Sequence, residues 1–161
     1  MLYKCSRSAT VISRNYCTCA QIDRANYNEL LQIYPLFNEA IKSYINTYDD
    51  PLKIFLEMSL NQVDFFTNLP RQIKNEWIFT MKQRQLEKGS LLYRIDTFSD
   101  EMYVLQSGLV EITHQMDNGD EFVIERLMRG SVVNHNSFLM NDGIDTDAKC
   151  RTAISLYYIT I

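Results

Sequence analysis

The sequence predicts an α+β protein in which N-terminal helices pack on an antiparallel, jelly-roll-like β-roll. Three observations carry this. Apolar residues recur at helical spacing through the first half of the 161-residue chain. Beyond Arg84 the spacing changes to short alternating runs. Those runs are divided by Gly89, the turn from Asp96 to Asp100, Gly108, the Asp117-Asn118-Gly119-Asp120 turn and Gly130. The same shifts divide the chain into a flexible basic tail (1–25), a helical linker (26–68) and the roll (69–161).

The tail is Ser/Thr-rich and basic, with Asp23 its one carboxylate. Such an acid-poor start also fits an organelle transit peptide, although no amphipathic period runs through it. In the linker, Phe37, Ala40, Ile41, Tyr44 and Ile45 fall at i, i+3, i+4, i+7 and i+8, one apolar helix face. Asp50-Pro51 supplies an N-cap and a proline at the first helical position. The run from Leu52 to about Phe66 is apolar on more than one side, which predicts a helix buried against a neighbour. A further helix begins at Leu69-Pro70, with Ile73, Trp77, Ile78 and Met81 on one face; that spacing makes Trp77 core packing.

In the roll, Asn118-Gly119 lies between two alternating runs and predicts a type I′ hairpin turn, which needs positive φ at both central residues. Val110, Ile112 and His114 alternate before it, and Phe122 and Ile124 after it. His114 is expected to be a half-buried structural residue. The acidic Asp117-Asn118-Gly119-Asp120-Glu121 cluster lacks EF-hand spacing and reads as a solvated turn.

Composition narrows the function classes. A hydrophobic fraction of 46% and a charged fraction of 22% suit a globular chain with a core. The formal charge of -4 argues against a nucleic-acid surface. No apolar run approaches the roughly 20 residues of a membrane span. Cys5, Cys17, Cys19 and Cys150 lack the spacing of a zinc site, and they read as reduced thiols. No nucleophile with an orienting base and acid is visible, so the chain is not expected to be an enzyme.

Several segments together resemble the cyclic nucleotide-binding domain family. Val63-Asp64-Phe65-Phe66-x-x-Leu69-Pro70 is similar to the helical entry of that domain. The likeness continues through Leu86-x-Lys88-Gly89-Ser90-Leu91-Leu92 and Ser99-Asp100-Glu101-Met102-Tyr103-Val104-Leu105-x-x-Gly108-Leu109-Val110-Glu111-Ile112, and then Glu125-Arg126-Leu127-x-x-Gly130-Ser131-Val132-Val133. It covers about residues 50 to 161. A turn glycine of the family falls on Asp96, which tolerates left-handed backbone better than most residues. The helices from Asn28 to Phe66 resemble the linker of cyclic-nucleotide-gated, hyperpolarisation-activated and ether-à-go-go-type cation channels; helical bundles also precede the roll in kinase regulatory subunits.

The resemblance implies a ligand site with three needs. The phosphate wants an Arg and free backbone N–H groups, the ribose 2′-hydroxyl wants a carboxylate, and the base wants a lid helix. The family's phosphate-site motif falls on Val133-Asn134-His135-Asn136-Ser137-Phe138-Leu139. Its glycine becomes Asn134 and its ribose carboxylate becomes His135, with Asn136 and Ser137 following. With Leu156 to Ile159 in the last strand, the phosphate Arg falls near Thr146, beside Asp147, whose charge would repel a phosphate. A longer loop would instead put Arg151 and Thr152 at the Arg-Thr positions, at the expense of the last hairpin. The chain stops before any lid helix, leaving a strand edge that invites association.

The expectation is therefore a regulatory domain with a degenerate site that binds cAMP or cGMP weakly or not at all, and no cofactor. Its expected setting is the cytoplasmic gating region of a cation (potassium) channel, at the inner face of a membrane. Neighbouring subunits of that channel, or a second copy of the chain, would contact the helices. The alternatives are a ligand-free interaction module and a fragment of a kinase-type regulatory subunit.

Overall fold

The computed structural model describes residues 10–47, 49–116 and 119–160. The sequence-predicted elements on Met1–Ala9, Cys5 among them, and on Asp117 and Asn118 lie outside the described residues. From residue 10 to 22 the tail carries no helix or strand, only a bend at Arg14 and Asn15, and is exposed throughout.

Five helices precede the roll. The first, α1 (Arg24–Ile33), is capped by Asp23, whose carboxylate accepts from the Asn26 N–H at 2.8 Å. α2 (Pro35–Thr47) opens on a proline. Its predicted apolar face is only partly covered: Phe37 is 47% and Tyr44 is 70% exposed, and the Ile45 side chain lies outside the described ones. α3 (Pro51–Leu60) has the cap that the sequence predicts, with Asp50 accepting from the Lys53 N–H at 2.8 Å.

The apolar run after Leu52 is not one helix. Asn61 ends α3, Val63 turns extended, and a short α4 (Asp64–Thr67) follows. The break lets Phe66 turn fully inward while Ile54 and Met58 of α3 stay exposed, so only one flank of that broadly apolar helix is covered. α5 (Arg71–Thr80) then buries Ile78 and delivers Met81 into the core, but leaves Ile73 at the surface.

The roll consists of two four-stranded antiparallel sheets. One has the order β1-β8-β3-β6, from β1 (Lys82–Leu86), β8 (Ile154–Thr160), β3 (Glu101–Ser107) and β6 (Val132–Val133). The other has the order β2-β7-β4-β5, from β2 (Leu91–Tyr93), β7 (Asp147–Cys150), β4 (Val110–Gln115) and β5 (Glu121–Leu127). Strand periodicity divides the apolar side chains between two cores. Met102 and Val104 of β3, with Val132 of β6, face the helices and meet Leu56, Leu60, Phe66 and Ile78. Their alternates Tyr103, Leu105 and Val133 face into the roll and meet Val110, Ala148 and Leu156.

The turns follow the sequence with one correction. Asp96 adopts φ 59°, the left-handed backbone expected of it. Gly108 (φ 94°) joins β3 to β4 so tightly that a Cβ there would lie 2.6 Å from the Ala153 carbonyl oxygen. The β4–β5 hairpin closes through Gly119 N–H to Met116 O and Met116 N–H to Asp120 O, both 2.8 Å, with Gly119 at φ 88°. The turn type that Asn-Gly suggests falls on Asn118, outside the described residues. The strands after it contain the departure. Ile112 pairs with Glu125 and Thr113 with Val123, so Ile124 is an extra, bulged residue. The bulge leaves Phe122 and Ile124 more than half exposed.

Candidate functional site

The site is built where β6 leaves its sheet. Asn134 follows Val133 in left-handed backbone, φ 62°. That conformation explains why a glycine suits this position, and asparagine is among the few residues that adopt it readily. Its Nδ2 donates to the Glu101 carbonyl at 2.8 Å, pinning the turn to β3. A six-residue helix, α6 (His135–Met140), starts from this turn and ends at Asn141, again left-handed.

The inner face of α6 is fully committed to packing. Phe138 is buried, and its ring meets Trp77 edge-on at 5.9 Å; Trp77 in turn meets Phe66 at 5.1 Å. The predicted core role of Trp77 holds, and the ring chain joins α6 to α4 and α5.

The N-terminal end of α6 borders a cavity of about 160 Å³. Pockets that enclose whole small molecules hold roughly 300–1,000 Å³, so this one has room for part of a nucleotide-sized molecule. Its lining includes Asn134, His135, Asn136 and Ser137 from the helix end, together with Thr146 from the loop before β7. Five of the positions that the sequence marks as the ligand site are thus brought together. Among the described residues, the Nδ1 of His135 is buried with no hydrogen-bond partner.

Three predicted positions lie elsewhere. Asp147 does not line the cavity; its Oδ1 accepts from the Ile95 N–H at 2.7 Å, tying the β2–β3 loop to β7. Arg151 and Thr152 occupy the β7–β8 turn. There the Arg151 Nε binds the Glu111 carboxylate, and Thr152 Oγ1 accepts from the Leu109 N–H at 3.0 Å. Arg126 holds the other Glu111 oxygen at 2.9 Å, and the two guanidiniums, Arg151 foremost, keep that carboxyl below its usual range. Because β8 runs from Ile154 to Thr160, the last hairpin is complete and the longer-loop register falls away.

The residues that the sequence did not mark are Glu125, Asp145 and Tyr93, all lining the cavity. Glu125 reaches it because the bulge at Ile124 shifts the phase of β5 and sets Glu125 opposite Ile112. Burial, reinforced by the charges of Asp145, Glu125 and Asp147, holds the Tyr93 phenol above its usual range. Among the described residues, no lysine or arginine lines the cavity. Neither Glu125 nor Asp145 forms an ion pair among the described residues. His114, expected to be half-buried, is exposed instead, with its Nδ1 3.1 Å from the Asp145 carbonyl oxygen.

The comparisons agree with this architecture. The family model described as "Cyclic nucleotide-binding domain" matches residues 83–160. No curated protein matches the sequence. Among solved structures, the chain is similar to cAMP-bound PfPKA-R, with a TM-score of 0.65 and 22% identity over 71% of this chain and 40% of that one. It is also similar to the regulatory domain of Toxoplasma gondii PKA with cAMP, with a TM-score of 0.63 and 23% identity over 71% of this chain and 44% of that one. A third is the regulatory subunit of a cAMP-independent protein kinase A from Trypanosoma cruzi bound to guanosine, with a TM-score of 0.56 and 16% identity over 67% of this chain and 39% of that one. The chain thus spans less than half the length of these structures. At such identities the likeness concerns the fold, which agrees with the family match. Residues 83–160 form a domain of the cyclic nucleotide-binding type.

Proposed function

We propose that this is a regulatory domain whose ligand site has lost its affinity for cyclic nucleotides while its coupling to the preceding helices is kept. The observation that carries the reading is the cavity at α6, whose lining among the described residues includes Glu125 and Asp145 and neither lysine nor arginine. A charge-assisted phosphate contact is worth on the order of 1.5–3 kcal/mol, and each 1.4 kcal/mol is about tenfold in affinity. Without it, and beside Glu125 and Asp145, cAMP and cGMP would bind far above the micromolar range. Coupling would run through Phe138 and Trp77: whatever shifts α6 must move a ring seated against α5.

Isothermal titration with cAMP and cGMP up to millimolar concentration tests this. The expected result is no saturable heat below about 50 µM, from a chain shown to be folded by its melting transition. Saturation in the low micromolar range would overturn the reading.

For the larger assembly, two settings follow. The kinase regulatory subunits among the similar structures support a kinase-type one. The helices before the roll support the channel gating region read from sequence. Stoichiometric inhibition of a kinase catalytic subunit, relieved by the site's ligand, would favour the first; a pore region on the same polypeptide would favour the second.

A further inference from the structure

We propose that Cys17 and Cys19 form a two-coordinate site for a soft monovalent metal ion, copper(I), on the tail that leads into α1. The site is separate from the α6 cavity and does not depend on the function proposed for it. Both thiols are free and exposed, one residue apart, and their Sγ atoms lie 3.5 Å from each other. The segment around them carries no helix or strand, so no packing holds the pair apart. Two sulfurs that share one ion, each about 2.3 Å from it as in zinc thiolates, lie at most about 4.6 Å apart. The pair is already inside that span.

The donor set selects the ion. Residues 10–22 contain no histidine, aspartate, glutamate or methionine. The next carboxylate along the chain, Asp23, has both oxygens engaged at the start of α1, by the Asn26 N–H at 2.8 Å and the Asn26 Nδ2 at 2.9 Å. Magnesium, calcium and manganese favour carboxylate and other oxygen ligands, and no free carboxylate is offered here. A structural zinc ion takes four ligands, and the described part of the tail supplies two thiols. Soft thiolates select copper(I), whose closed shell is satisfied by two of them. Binding breaks two S–H bonds and forms two Cu–S bonds; the two protons pass to solvent and no electron is transferred. The bis-thiolate carries one negative charge. It falls between Arg14 and Arg24 in the sequence, neither of which forms an ion pair among the described residues.

The test adds the full chain, kept reduced and free of oxygen, to a coloured chelate of copper(I) and reads the metal transferred from the loss of colour. Cys17→Ser, Cys19→Ser and Cys5→Ser variants, each checked for an unchanged melting transition, are measured alongside. The expected result is one copper(I) per chain, held by a monomer in light scattering and not displaced by excess zinc. Cys17→Ser and Cys19→Ser should each weaken binding by more than the roughly 10–100-fold that loss of an outer-shell partner costs a metal site, and Cys5→Ser should leave it unchanged. No transfer from the chelate would overturn the proposal, as would transfer that survives either the Cys17→Ser or the Cys19→Ser change. Loss of binding in Cys5→Ser, displacement by zinc, or copper that joins two chains in a dimer would overturn the two-coordinate assignment.

Discussion

The two sides of α6 differ in what they retain. The packed side is a complete piece of core: Phe138 is buried, set edge-on against Trp77 and through it against Phe66. The cavity side keeps the backbone turn, with Asn134 in left-handed conformation, but lines the space beyond it with Glu125, Asp145, His135 and Thr146. The difference teaches that the shape of the site and its chemistry are held by separate forces. Shape comes from apolar burial on one side of the helix, so substitutions on the other side can change the ligand without unfolding the domain.

Breaking the packed side should have the largest effect. Phe138→Ala removes a buried ring from between α5 and β3, and should cost about 3–5 kcal/mol of stability in a urea titration. A loss below about 1 kcal/mol would mean that α6 is not part of the cooperative core. On the cavity side, Thr146→Arg should leave stability nearly unchanged and raise cAMP affinity roughly tenfold to a hundredfold, as expected of one restored charge-assisted contact. If calorimetry shows no gain, the missing cation is not what disables the site.

A third test uses a pair of groups outside both sides. Arg84 chelates Glu101 through two 2.7 Å bonds, and the Tyr103 hydroxyl donates to the same carboxylate at 2.9 Å. Arg84, aided by Tyr103, lowers the Glu101 pKa against the cost of burial. A lowered folded-state pKa means that its stabilisation is fully present above the unfolded glutamate pKa and is lost as pH falls through the folded value. Glu101→Gln should therefore lower stability at neutral pH and flatten the acid limb of the stability curve between those two values. An unchanged acid limb would refute the assignment.

The smallest effect is expected at Asp147. Asp147→Ala removes the acceptor of the Ile95 N–H and should cost about 1–2 kcal/mol, with cAMP affinity altered by less than about threefold. A large gain in cAMP affinity would show that Asp147, rather than Asp145 and Glu125, governs the site.

Much of the fold was legible because it follows from local rules. The Asp50-Pro51 cap and the packing of Trp77 read directly from residue type and spacing, and the left-handed Asp96 from the family resemblance. The extent of α3 was not, because Leu52 to Phe66 is apolar whether or not it is broken, and only the burial of Phe66 shows what the turn at Asn61–Val63 achieves. In the site, the helix-end residues could be placed because the family's motif, laid along the chain, falls on them. Glu125 could not, since nothing in its own strand announces a bulge at Ile124.

By itself the sequence determined the α+β division and the alternation that feeds two cores. Those are properties of residue type and order, which the local backbone turns directly into structure. The tertiary structure alone decided which carboxylates face the cavity. Asp147 is adjacent to Thr146 in sequence, yet it turns to the Ile95 N–H, while Glu125 is carried in from a strand twenty residues away. Side-chain direction in a sheet is set by pairing with a partner strand, and a single extra residue in that pairing reverses it.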